Sequence, residues 1–131
     1  MDFSFDTTTQ ALISRARRFV DEHVLPAEPV FEQQLAATPD EWTVRPIVRD
    51  LQQRARAEGL WNLFLPAGHG ENGGAGLTNL QYAPIAEITG WSTRLAPPAF
   101  NCAAPDTGNM EVLNDFGTPE QEILPQGLPG M

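Results

Sequence analysis

The stretch that decides the fold class is GLTNLQYAPIAE, residues 76–87. Thr78 and Gln81 have the spacing of a capping box, in which two side chains bind the free backbone amides at the start of a helix. Pro84 removes one backbone donor, so we expect a bend there, and Gly90 is expected to end the helix. The residues that share one face at helical spacing are Tyr82, Ile85, Ala86 and Thr89. This pattern predicts an amphipathic α-helix.

The first segment of the chain carries a similar set of signals. Thr7 and Gln10 have capping-box spacing, and apolar residues follow at intervals of three and four. Pro26 and Pro29 each remove a backbone donor and crowd the preceding turn, so the helix must bend or restart there. We therefore expect one kinked helix that ends near Leu35.

Further helices are predicted downstream. Pro46 suits the first turn of a helix, and Gly59 suits the left-handed position that closes it. Residues 97–100 are expected to give one short turn, and a last helix should begin at a cap on Asp106 or Thr107. The sequence thus predicts an all-α, helical bundle-like domain without a regular sheet of three or more strands.

Two segments do not fit a simple helical pattern. The apolar run at residues 61–66 is too short for periodicity to distinguish a strand from an extended connector. Residues 118–121 carry the signals of a helix start, but breakers follow almost at once. We therefore expect one domain over residues 1–121, and a tail over residues 122–131 that is poorly ordered.

Composition excludes several classes of function. The chain has 131 residues, a net charge of -9 and eight arginines without lysine, which argues against a nucleic-acid partner. No apolar run is long enough for a membrane span. The single cysteine, Cys102, cannot close an internal disulfide. We expect a cytoplasmic protein, with an organelle matrix as the alternative.

Short motifs add no catalytic, cofactor-binding or metal-binding residue. Residues 68–73, GHGENG, match the dinucleotide pattern, but no helix begins at the glycines and no second strand is evident. A surface loop is the better interpretation of this segment. His23 and His69 have no partner at metal-ligand spacing. Cys102 has no nearby histidine in sequence, and a buried apolar role is more usual for a lone cysteine.

Three blocks of sequence carry a resemblance to a known family: AEGLWNLFLP at residues 57–66, the stretch 76–87, and FNCAAPDTGNMEVL at residues 100–113. Together they resemble the amino-terminal domain of acyl-CoA dehydrogenases, and the likeness extends over about residues 8–121. The resemblance implies an all-helical domain that precedes a middle β domain and a carboxy-terminal four-helix bundle. In that family FAD is held mainly by the latter two domains.

The resemblance also implies a reaction, the α,β-dehydrogenation of acyl-CoA thioesters in fatty-acid oxidation, with electron-transfer flavoprotein as the usual partner. The sequence departs from the family pattern after Gln121, so we expect a chain truncated before the flavin-binding middle domain. No catalytic or cofactor-binding residue carries over to it. We therefore expect the chain alone to bind no FAD and to be inactive.

What the resemblance does assign to this chain is part of the floor of the acyl pocket, at about residues 98–102. Phe100, Asn101 and Cys102 are the candidate substrate-binding residues, and a packing role is the alternative for each. Asn101 stands out because a buried amide needs hydrogen-bond partners.

The sequence is compatible with three functions. The first is an enzyme part whose helices pack on missing domains, and the second is a helical binding or assembly module that contacts a full-length dehydrogenase or another helical partner. The third is an unrelated helical protein with chance similarity. Helices that evolved to pack on further domains should leave apolar faces exposed, so we also expect self-association.

Overall fold

The computed structural model describes residues 4–38, 40, 43–65 and 74–118, and over these ranges it contains helices and turns but no strand. The all-α prediction is confirmed. The tail, the glycine-rich motif at 68–73 and His69 lie outside the described residues. The α-helices are α1 (Thr7–Phe19), α2 (Glu28–Ala37), α3 (Pro46–Ala57), α4 (Asn79–Thr89), α5 (Ala96–Phe100) and α6 (Asp106–Phe116).

The first helix is interrupted where the prolines predicted. After α1 the chain forms a π-helical turn at Val20–Val24 and a 3-10 turn at Leu25–Ala27, and it returns to α-helix at Glu28. Pro26 cannot donate a backbone hydrogen bond, and the change of helix type accommodates this loss. The helix ends at Ala37, two residues later than expected.

The predicted cap of α1 is one residue too late. Asp6, not Thr7, is the N-cap, and its carboxylate accepts a hydrogen bond from the backbone N–H of Thr9 at 2.8 Å. Gln81 of α4 donates from Nε2 to the Thr9 hydroxyl at 3.0 Å. The starts of α1 and α4 are therefore joined by side chains.

The predictions for α3 and α4 hold at most positions. Gly59 has a φ of 67°, as a left-handed closure requires. The capping box of α4 is present, with Gln81 Oε1 accepting from the Thr78 N–H at 2.9 Å. Gly90 ends α4 but keeps a right-handed φ of -67°, because the chain continues into a 3-10 turn. Residues 61–64 form hydrogen-bonded turns, neither a strand nor an extended connector.

The core lies between the first helical segment, α3, α4 and α5. Its largest fully buried side chains are Phe19, Phe100, Leu60, Ile85, Ile88, Leu95, Val20 and Val24. Helix α6 is peripheral, because it buries only Met110 while Val112 and Phe116 are 59% and 84% exposed. No helix of the described ranges is long and apolar enough to cross a bilayer.

Candidate functional site

The three candidate residues form the turn that closes α5. Asn101 N–H donates to the carbonyl of Pro98 at 3.2 Å, and Cys102 N–H donates to the carbonyl of Pro97 at 2.8 Å. Asn101 itself is left-handed, with φ 58° and ψ 43°. Asparagine tolerates this conformation better than most residues with a side chain. The turn therefore reverses the chain at a defined residue and leaves Asn101 and Cys102 half-buried.

Phe100 anchors this turn in the core. Its side chain is 1% exposed, and its ring lies edge-to-face against Phe19 with centroids 5.4 Å apart. Such a contact adds roughly 0.5–1.5 kcal/mol beyond burial. The structure thus gives Phe100 a packing role, and its participation in a ligand pocket stays a prediction.

Asn101 is held by a residue that the sequence did not single out. Its Nδ2 donates to Asn62 Oδ1 at 2.6 Å, and the same atom lies 3.5 Å from Met110 Sδ of α6. Asn62 is buried and also left-handed, with φ 58°. A polar residue inside an apolar run, and of a type that tolerates positive φ, was the signal that could have identified it.

Cys102 lies beside two hydroxyl groups of α4. Its thiol is close to the side chains of Tyr82 and Thr89, and it packs against the core. Burial raises the pKa of the Cys102 thiol. Burial, with a further contribution from Cys102, also raises the pKa of the Tyr82 phenol. Both groups therefore stay protonated at neutral pH, and Cys102 is a poor nucleophile.

The site is consequently uncharged. It consists of amide, thiol and hydroxyl groups beside apolar core side chains, and none of these groups is ionised. They belong to Asn62, Asn101, Cys102, Tyr82 and Thr89. Such a surface can line a pocket for a neutral, largely apolar portion of a ligand. It lacks the activated nucleophile or acid–base pair that catalysis needs.

The histidine of the first helical segment lies elsewhere. His23 Nε2 is 3.7 Å from Glu58 Oε1, and its ring packs edge-to-face against Phe19. It borders a groove of about 460 Å³ that is also lined by Arg15 and Arg18. No group of three or more His, Cys, Asp or Glu that could hold a metal occurs in the portion of the chain with described coordinates.

The sequence and the fold of this chain are similar to those of known proteins. The family described as acyl-CoA dehydrogenase, N-terminal domain, matches residues 6–126. The probable acyl-CoA dehydrogenase FadE2 of Mycobacterium tuberculosis is 48% identical over 92% of this chain and 28% of its own length. Acyl-CoA dehydrogenase family member 10 of Mus musculus is 47% identical over 80% of this chain and 10% of its own length.

A solved structure, described as a candidate acyl-CoA dehydrogenase from Mycobacterium abscessus, is also similar. It aligns with a TM-score of 0.75 and 43% sequence identity, over 92% of this chain and 31% of that chain. The chain thus spans less than a third of the length of each of these relatives.

Proposed function

Because this chain belongs to the acyl-CoA dehydrogenase family, as its amino-terminal domain, we propose that it serves as the amino-terminal part of an FAD-dependent enzyme. The proposed reaction is the α,β-dehydrogenation of acyl-CoA thioesters, of the fatty-acid oxidation type. In the complete enzyme the partners are an acyl-CoA substrate and electron-transfer flavoprotein.

The observation that carries the proposal is the uncharged turn after α5. In the proposal, Asn101 and Cys102 contact the acyl chain, while Phe100 fixes the turn in the core. The acyl chain is the neutral, apolar portion of the substrate, so half-buried amide and thiol groups beside apolar core side chains suit it.

Two helix starts of this chain are already engaged by their own caps. A pyrophosphate is usually bound by free amides at a helix start. In α1 and α4 the side chains of Asp6 and Thr78 already accept hydrogen bonds from amides of the first turn. In the proposal, FAD and the catalytic base belong to the remainder of the enzyme. The purified 131-residue chain should be colourless and should not reduce dyes when given acyl-CoA; stoichiometric flavin absorbance would contradict this assignment.

A fusion enzyme tests the proposal. Residues 6–126 would replace the matching amino-terminal part of the M. tuberculosis relative. We expect an enzyme that binds flavin and reduces a dye with acyl-CoA, whereas the relative lacking this domain should not. Cys102→Trp in the fusion should shift the preference to shorter acyl chains, because each excluded methylene costs about 0.8 kcal/mol, or roughly fourfold in kcat/KM. A folded, flavin-loaded but inactive fusion, or an unchanged chain-length profile, would contradict the proposal.

A second candidate function is a helical binding or assembly module. It is favoured by the exposed apolar side chains of α6, Val112 and Phe116, which have no cover in the described structure. A chain that binds a full-length dehydrogenase through α6, and cannot replace the domain in the fusion, would favour this candidate.

A further inference from the structure

Asn62 and Asn101 join two turns that are far apart in sequence. The carboxamide oxygen of Asn62 accepts a hydrogen bond from Asn101 Nδ2 at 2.6 Å, and the backbone N–H of Asn62 donates to the carbonyl of Phe100 at 3.1 Å. One residue thus holds the turn after α5 through both its side chain and its main chain.

Both asparagines adopt a backbone conformation that other residues with side chains avoid. Each has a φ of 58°, and Asn62 is 7% exposed. A buried amide is costly unless its hydrogen-bonding groups are satisfied, so the two side chains depend on one another. The contact of Asn101 with Met110 brings α6 into the same arrangement.

We propose that Asn62 is a positioning residue for the acyl pocket. Its carboxamide fixes Asn101, and it thereby sets how Asn101 and Cys102 are presented to the acyl chain. This inference rests on the proposed function in one respect only, the role of the turn as pocket lining. Whether Asn62 holds the turn is a separate and directly measurable property.

The only cysteine of the chain provides the measurement. Cys102 is half-buried, so its rate of reaction with a chromogenic aromatic disulfide reports how well the turn is held. Asn62→Gly keeps the positive φ without strain and removes the acceptor oxygen. Asn62→Asp keeps an acceptor and a residue type that tolerates this conformation.

We expect Asn62→Gly to react about fivefold faster than wild type in the 131-residue chain, because the net effect of one lost hydrogen bond is a factor of roughly 2 to 10. Asn62→Asp, which keeps an acceptor for Asn101, should react more slowly than Asn62→Gly. Asn101→Gly should match Asn62→Gly, and the double variant should add little, as coupled partners do.

Gln33→Gly is the matched control, since Gln33 is exposed within α2 and glycine there lowers helix stability without touching the turn. Circular dichroism would verify that each variant is folded. The inference is overturned by an unchanged rate in Asn62→Gly, or by an equal acceleration in Gln33→Gly.

The fusion enzyme separates this inference from the proposed function. There, Asn62→Gly should raise KM for octanoyl-CoA several-fold with a smaller change in kcat. An unchanged KM and chain-length profile would overturn the role of Asn62 in the acyl pocket. Inactivity of the fusion with the wild-type domain would count against the proposed function instead, while the thiol measurement would still decide whether Asn62 holds the turn.

Discussion

Helix α6 presents an apolar surface that should drive self-association, and the double variant Val112→Ser with Phe116→Ser tests this. Phe116 is 84% exposed and Val112 is 59% exposed, and the two are four residues apart, so they lie on one face of the helix. Serine at both positions removes the apolar surface and leaves the contact of the buried Met110 with Asn101 in place.

The exposed areas set the expected strength of association. Burying most of the Phe116 ring and the Val112 side chain is worth about 6 kcal/mol per chain at ~25 cal/mol per Å². A symmetric dimer doubles this to about 12 kcal/mol, whereas association costs roughly 4–15 kcal/mol in lost freedom. The net charge of -9 on each chain further opposes contact between copies. We therefore expect a dissociation constant in the range of about 0.1–1 mM.

Sedimentation equilibrium over a wide concentration range measures this constant. Wild type should show reversible dimers that strengthen with added salt, because salt screens the repulsion between the acidic chains. The double serine variant should remain monomeric. Leu80→Ser is the control, because Leu80 is 47% exposed on α4 and should leave the dimer unchanged. A wild-type chain that is monomeric at all concentrations, or a double serine variant that still dimerises, would refute the reasoning. If Leu80→Ser weakened the dimer and the double serine variant did not, the interface would lie on α4 instead.

Three further predictions concern stability. Phe19→Ala removes the ring that packs against Phe100 and should lower the free energy of unfolding by about 3–5 kcal/mol, measured by urea denaturation. Thr78→Ala should cost about 1 kcal/mol in the same assay, because it removes the side-chain acceptor of the α4 capping box; a change below the error of the assay would count against the cap. The backbone hydrogen bond from Thr9 lowers the pKa of Asp6 below its ordinary 3.8, so its stabilising effect should be present above about pH 4 and lost as pH falls through the lowered folded pKa. Asp6→Asn should remove that part of the acid sensitivity, and an unchanged acid titration of unfolding would contradict the assignment.

Local signals in the sequence were sufficient for much of the fold. Thr78 and Gln81 interact with each other within a single turn, so their spacing alone predicted the start of α4. Gly59 likewise has a conformation that its residue type favours. The cap of α1 was misassigned because Asp6 and Thr7 are both of residue types that cap helices. Gln81 of α4 also donates hydrogen bonds to the side chains of Asp6 and Thr9, and local spacing could not predict this contact between two helices.

The candidate site was only partly accessible from sequence. The resemblance indicated Phe100, Asn101 and Cys102, and the structure brings the last two next to hydrogen-bonding groups. Asn62 was missed because its partner is 39 residues away, and the short apolar run around it gave no period from which its conformation could be derived. The burial of the Phe100 ring likewise depends on Phe19, which lies in a distant helix.

The π-helical turn at Val20–Val24 has a consequence for how the chain tolerates changes in length. A π turn holds one more residue than an α turn, so the residues after it are rotated by about 100° relative to an uninterrupted α-helix. Deleting one residue within this turn would restore a regular α-helix, and the loss of the residue and the loss of the wide turn would cancel, so α2 would keep its orientation. Phe31, which packs against the core, would then keep its place. Natural variants of this domain should accordingly tolerate a single-residue deletion in the π turn more readily than one within α1, where a deletion would rotate all residues on one side of it by about 100°.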